Sequence, residues 1–171
     1  MKFDFLKLNA IPSPAFPTRT HNYRPIINAH ICSIDLPRRI HYYVLLDSGA
    51  DYNLFHADLA ELIGIKDYKS GKEQKMFGIE GDGIMSYFHD IIIEIGGWKY
   101  KAYSGFTDFE GKKSHDKMPY GILGQIGFFE YFNVSFDYSK VQIEIRPKDP
   151  SIFITGNKKE SKAAILPASI Q

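Results

Sequence analysis

The run Val44-Leu45-Leu46-Asp47-Ser48-Gly49-Ala50-Asp51 delivers an acid to a turn straight off three apolar strand residues. An ionisable group placed just past a buried strand is costly unless it has partners or a task. Asp, Ser and Gly are all turn formers, so the tripeptide alone is also what an ordinary turn looks like. Its surroundings decide between the two.

Upstream, β-favouring residues fill 25–34 and 40–46 on either side of the Leu36-Pro37 break, which predicts two strands joined by a loop. Downstream, Leu59, Leu62 and Ile63 fall at helical spacing with Gly64 placed to cap, predicting a short helix over 57–63. Residues 73–95 read as a long hairpin: Met76 and Phe77 approach a tip containing Gly78, Gly81 and Gly83, and a strand returns to end at Ile91-Ile92-Ile93-Glu94-Ile95. Gly96-Gly97 predicts a tight turn into a strand over 98–106. A polar surface loop is expected over 107–119 and a short apolar strand at Gly121-Ile122-Leu123-Gly124. A brief helix over 126–132 and strands over 133–138 and 141–146 complete the pattern. Pro12, Pro14 and Pro17 exclude a regular helix from residues 1–20, an extended arm able to add to a sheet edge. Residues 21–147 are then the domain, and 148–171, with Pro150, Pro167 and a Lys-rich stretch, a tail.

With those elements in place, Asp47 to Asp51 resembles the Asp-[Ser/Thr]-Gly-Ala-Asp signature of the retropepsin-like aspartic proteases, and Leu54, Phe55 and the short helix match their cellular and bacterial members. Lys75-Met76-Phe77-Gly78 and the glycine-studded tip resemble their flap, and Ile122-Leu123-Gly124 resembles their second signature, an apolar pair followed by Gly. The hairpin of residues 134–145 is more like the cellular and bacterial members than the viral ones. One departure is clear: Gln125 stands where viral enzymes carry an Arg that braces the acid after the catalytic loop, which leaves the partner of Asp51 open.

The resemblance implies a mainly β fold, a retropepsin-like barrel with a flap hairpin and one or two short helices. It implies aspartic endopeptidase activity, with Asp47 catalytic and Ser48 and Gly49 completing the active-site loop. Ala50, Asp51, Ile122 and the flap residues Gly78, Ile79, Glu80, Gly81, Asp82, Gly83 and Ile84 would bind a peptide or protein substrate, and Leu123 and Gly124 would support the catalytic loop. Such chemistry needs two carboxylates sharing a proton. The chain has one Asp-[Ser/Thr]-Gly, so the second aspartate comes from another copy across a two-fold axis, making the active species a homodimer. The alternative from another class is a non-catalytic dimeric peptide-binding module of the same fold.

Composition bounds the rest. The 171 residues suffice for one core but not for two ordinary domains. Lysines and arginines number 21 against 20 acids, with no block of five like charges, so neither a nucleic acid nor a membrane is expected as partner. The sole cysteine, Cys32, excludes an internal disulfide and suits a reducing cytoplasm; no signal peptide or membrane anchor is read. The histidines at 21, 30, 41, 56, 89 and 115 show no metal spacing, and no Gly-x-Ser-x-Gly elbow occurs. The order Gly78-x-x-Gly81-x-Gly83 lacks the helix of a dinucleotide fingerprint and the lysine of a phosphate loop. No metal or cofactor is called for.

Overall fold

A computed structural model describes residues 1–36, 38–77, 83–108 and 120–154. Twelve strands run through these residues: β1 (Lys2–Asp4), β2 (Leu6–Asn9), β3 (His21–Arg24), β4 (Ile26–Ser33), β5 (Ile40–Leu46), β6 (Leu54–His56), β7 (Lys72–Met76), β8 (Ile84–Ile95), β9 (Trp98–Thr107), β10 (Gly121–Leu123), β11 (Phe132–Asp137) and β12 (Gln142–Pro147). Helix α1 (Ala57–Leu62) and two single 3-10 turns, Tyr68–Ser70 and Pro150–Ile152, are the helical elements.

Six of the strands close on themselves, in the order β4-β5-β10-β6-β9-β8 and back to β4. Closure works because β4 serves two neighbours in turn: Ile26 to Ile31 pair with β5, and His30 to Ser33 pair with β8. Period-two alternation supplies the interior. Ile27, Ala29 and Ile31 of β4, Ile91, Ile93 and Ile95 of β8, and Tyr100 and Ala102 of β9 all point into one buried cluster. The two-residue Gly96-Gly97 turn joins β8 to β9 with Ile95 opposite Trp98, as its composition predicts. Strand β7 extends the sheet from β8, and the tip of that hairpin, Gly78, Ile79, Glu80, Gly81 and Asp82, lies outside the described residues, as do 109–119 of the expected surface loop.

A second, three-stranded sheet, β1-β12-β11, packs its inner residues Ile143 and Ile145 into the same core. Strand β1 is its edge, pairing Phe3 with Ile143, while β2 and β3 form a separate hairpin. Beyond β12, Phe153 is buried against Trp98, Tyr100 and Phe132.

Helix α1 begins at His56, whose side chain accepts the Asp58 N–H, and ends where the Gly64 N–H reaches the Glu61 carbonyl at 2.9 Å. The helix expected over 126–132 does not form. Gly127 sits at φ +96° and its N–H bonds the Glu130 carboxylate, so the chain turns instead, with Phe128 and Phe132 both buried. An apolar spacing that fits a helix is here met by two successive turns.

The Tyr100 ring is fully buried among Tyr131, Phe132 and Phe153, and its hydroxyl has no hydrogen-bond partner among the described residues. Burial pushes its ionisation well above the usual tyrosine range, so it is neutral in the fold. A buried hydroxyl without a partner costs stability, and deleting it leaves the packing of the ring intact. Tyr100→Phe is therefore expected to unfold in urea at equal or higher concentration, with a gain of about 1 kcal/mol. A loss of that size would show that the hydroxyl does bond within the native state.

Candidate active site

The site grows from the end of β5. Val44 and Leu46 are buried, and β5 is held on one side by β4, with Ile26 opposite Leu45, and on the other by the parallel β10, with Leu123 opposite Leu46. The Leu46 N–H donates to the Pro25 carbonyl at 2.9 Å and the Asp47 N–H to the Leu123 carbonyl at 3.0 Å. The backbone is thus fixed up to the residue that carries the carboxylate.

Beyond it the chain turns at once. One Asp47 carboxylate oxygen accepts the Gly49 N–H at 2.9 Å, and the Asp47 carbonyl accepts the Ala50 N–H at 3.2 Å. This is an Asx turn, the reason an acid favours this position locally. It orients the half-buried Asp47 carboxylate, while Ser48, Gly49 and Asp51 are exposed and Ala50 is half-buried.

Residues 47–51 are laced to the chain after β10. The Gln125 N–H reaches the Ala50 carbonyl and the Ile126 N–H the Asp51 carbonyl, each at 2.8 Å, and the Gln125 side-chain amide donates to the Ser48 carbonyl at 2.6 Å. Gln125 therefore secures the turn through its backbone rather than through a charge, and Asp51 makes no ion pair among the described residues.

Gly124 makes this approach possible. A Cβ there would lie 2.5 Å from the Tyr52 carbonyl oxygen and 2.7 Å from that of Ala50, so no other residue brings the two segments this close. Leu123 is fully buried beside it, and Ile122 is half-buried between Leu45 and Leu54. Gly83 and Ile84 stand at the foot of β8, Ile84 opposite Met76.

Asn53 is the residue that sequence reasoning passed over. Fully buried, it accepts the Gly124 N–H at 3.0 Å through its side-chain oxygen, donates to the Ser104 hydroxyl at 3.4 Å, and accepts the Gly105 N–H at 2.9 Å on its carbonyl. Its signal was a lone amide between Tyr52 and the apolar Leu54-Phe55, where a buried strand offers no solvent to satisfy it. Asn53→Ala leaves the Gly124 N–H buried without an acceptor, at a cost of about 2 kcal/mol. The check is urea unfolding, and a change below about 0.5 kcal/mol would mean that the loops brace each other without it.

The wall beside the turn is aromatic. Tyr52 meets Phe88 edge-on at 5.4 Å, and Phe88 lies 5.3 Å from Tyr103, on strands β8 and β9 leading away from the hairpin tip. The arrangement is an oriented carboxylate at a braced, solvent-accessible turn with an apolar flank. A carboxylate so placed is open to proton exchange with whatever reaches the turn, and the chain carries one Asp-Ser-Gly of this kind. No cluster of histidine, cysteine and acidic side chains suited to a metal occurs among the described residues. No helix there is long and apolar enough to cross a membrane.

No protein-family model matches the chain, and no curated protein matches it significantly. Solved structures similar to it include retropepsin-like aspartic proteases, at low identity. The EIAV protease in complex with the inhibitor HBY-793 is 22% identical, over 60% of this chain and 82% of that one, with a TM-score of 0.40. A retropepsin-like aspartic protease from Rickettsia conorii is 16% identical, over 84% and 91%, with a TM-score of 0.45. The retroviral protease-like domain of Ddi1 from Leishmania major is 12% identical, over 72% and 96%, with a TM-score of 0.43.

Proposed function

We propose that the chain is one subunit of a homodimeric aspartic endopeptidase in which Asp47 from each of two copies forms the catalytic dyad. The observation that carries this reading is the Asp47 turn itself, a half-buried, oriented carboxylate clamped at the Leu46 and Asp47 N–H groups and braced by Gln125. Such bracing fixes a reacting group in advance, which is what positional catalysis requires.

In the proposed reaction a water sits between the two carboxylates. The ionised one takes its proton as the oxygen attacks the scissile carbonyl, and the protonated one gives its proton to the carbonyl oxygen. The tetrahedral intermediate collapses when the amine leaves with a proton returned from the dyad. Ser48 and Gly49 are exposed beside Asp47, where they would face the second copy and the substrate backbone, with Ala50, Asp51 and Ile122 along the groove. The hairpin of β7 and β8, through Gly78 to Ile84, would act as the flap that covers an extended peptide and excludes bulk water. The reading calls for no metal or cofactor, and the lone Cys32 suits work in the cytoplasm.

The test is incubation of the purified chain with a diverse peptide library beside Asp47→Asn, with products read by mass spectrometry. Cleavage by the wild type alone supports the reading. Binding of peptides without cleavage at any pH assayed from acid to neutral would replace it with a peptide-binding module.

A further inference from the structure

Away from the Asp47 turn, the β2–β3 hairpin folds beside the turn that joins β11 to β12 and leaves a cleft of about 460 Å³. Three rings wall it: Tyr138 meets Phe5 edge-on at 5.8 Å and Tyr23 edge-on at 6.2 Å. Arg19, Asn22, Arg24 and Pro25 complete its lining. No acid lines the cleft, and neither guanidinium has a carboxylate partner among the described residues. Arg19 lies over the Phe16 ring at 5.6 Å, and the acid of the β11–β12 turn, Asp137, is engaged by Lys140 at 2.8 Å and by the Ser139 hydroxyl at 2.6 Å.

Two arginines without a carboxylate partner in the lining of a ring-walled cleft favour an anion joined to an apolar body. A guanidinium fork matches a carboxylate in two parallel hydrogen bonds, and tyrosine faces take aliphatic or aromatic side chains. The cleft also has a place relative to Asp47. Pro25 lines one end of it, and the Pro25 carbonyl accepts the N–H of Leu46, the residue before Asp47. That end therefore abuts the strand pair that delivers the carboxylate.

We propose that this cleft is a docking site for an acidic peptide segment, in which Arg19 and Arg24 grip a Glu or Asp carboxylate while an adjacent apolar side chain packs on Tyr23 and Tyr138. A substrate would then be held at a second place besides the groove at Asp47. That the occupant is a peptide rests on the endopeptidase reading. The electrostatics agree with a single carboxylate rather than a polyanion, because the chain carries a net charge of only +1 and its sequence holds no block of five like charges.

Calorimetric titration of the full-length Asp47→Asn protein, in which the cleavage chemistry is removed, tests the site by binding alone. The probes are acetyl-Phe-Glu-Phe-amide, its Gln twin acetyl-Phe-Gln-Phe-amide, and AMP as an anionic ring of another class. The Glu peptide is expected to bind about tenfold more tightly than the Gln peptide, the value of a charge-assisted hydrogen bond. Adding Arg19→Gln and Arg24→Gln together is expected to erase that difference with the thermal midpoint unchanged, since both side chains are exposed. Equal binding of the two peptides, a difference that survives the arginine changes, or tighter arginine-dependent binding of AMP would each overturn the assignment. Wild-type cleavage of the peptide library is scored separately. Arg-dependent binding without any cleavage keeps the cleft and removes the protease, and cleavage without Glu selectivity does the reverse.

Discussion

Asp47→Asn is expected to lower kcat/KM for peptide cleavage by about 10³-fold or more while leaving the fold standing. The amide is nearly isosteric with the carboxylate, and its oxygen can still accept the Gly49 N–H that the Asp47 carboxylate accepts at 2.9 Å. What it loses is the capacity to take up and release a proton, on which both halves of the proposed reaction depend. A factor of 10³ corresponds to about 4 kcal/mol of transition-state stabilisation. The folding cost of an isosteric change at a half-buried position is within about 0.5 kcal/mol, a shift of the thermal midpoint of about 1–2 °C in a chain of this size. Single-turnover kinetics and a thermal melt on the same preparation separate the two effects. Turnover within tenfold of wild type by a variant free of wild-type contamination would remove Asp47 from the chemistry.

The strands that carry the site were legible because they are long or strongly patterned. Residues 40–46 and 84–95 hold β-branched and aromatic residues in alternation, and both ends of β5 are marked, by Pro37 upstream and by Asp-Ser-Gly downstream. Strand β6 was not legible as a strand. Leu54–His56 is too short to show a period, and it exists because Leu54 pairs with both Ile122 and Gly105, contacts far apart in sequence. Strand β1 was legible as part of an extended arm able to add to a sheet edge, but its bounds were not, since Lys2–Asp4 is set by pairing with residues 142–144.

The Asp47 turn could be read from the sequence because its geometry is local, an aspartate bonding two residues ahead. Its support could not. The Gln125 side chain reaches back 77 positions to Ser48, and Asn53 reaches forward 71 positions to Gly124. Local pattern carries no information about such pairs. The departure at Gln125 raised the question of what braces the turn, and the answer is an amide that bonds a carbonyl where an ion pair was looked for.

Mixing wild-type and Asp47→Asn subunits is expected to lower activity as the square of the wild-type fraction, because in the proposed mechanism only dimers with two carboxylates turn over. An equal mixture, once subunits have exchanged, should retain about one quarter of the activity of wild type at the same total concentration, where independent monomers would retain about half. The reason lies in the count of acids: each chain supplies one Asp-Ser-Gly turn, and the half-buried Asp47 lies next to the exposed Ser48 and Gly49 and near the 49%-exposed Ile126, the surface that the proposed second copy would cover. The same dependence predicts that specific activity of the wild type falls on dilution below the dimer dissociation constant, because the site disassembles with the dimer. Sedimentation at each concentration assayed fixes the dimer fraction directly. Activity that follows the wild-type fraction linearly, or specific activity that stays constant where sedimentation finds only monomer, would mean that one chain completes the site with a carboxylate of its own.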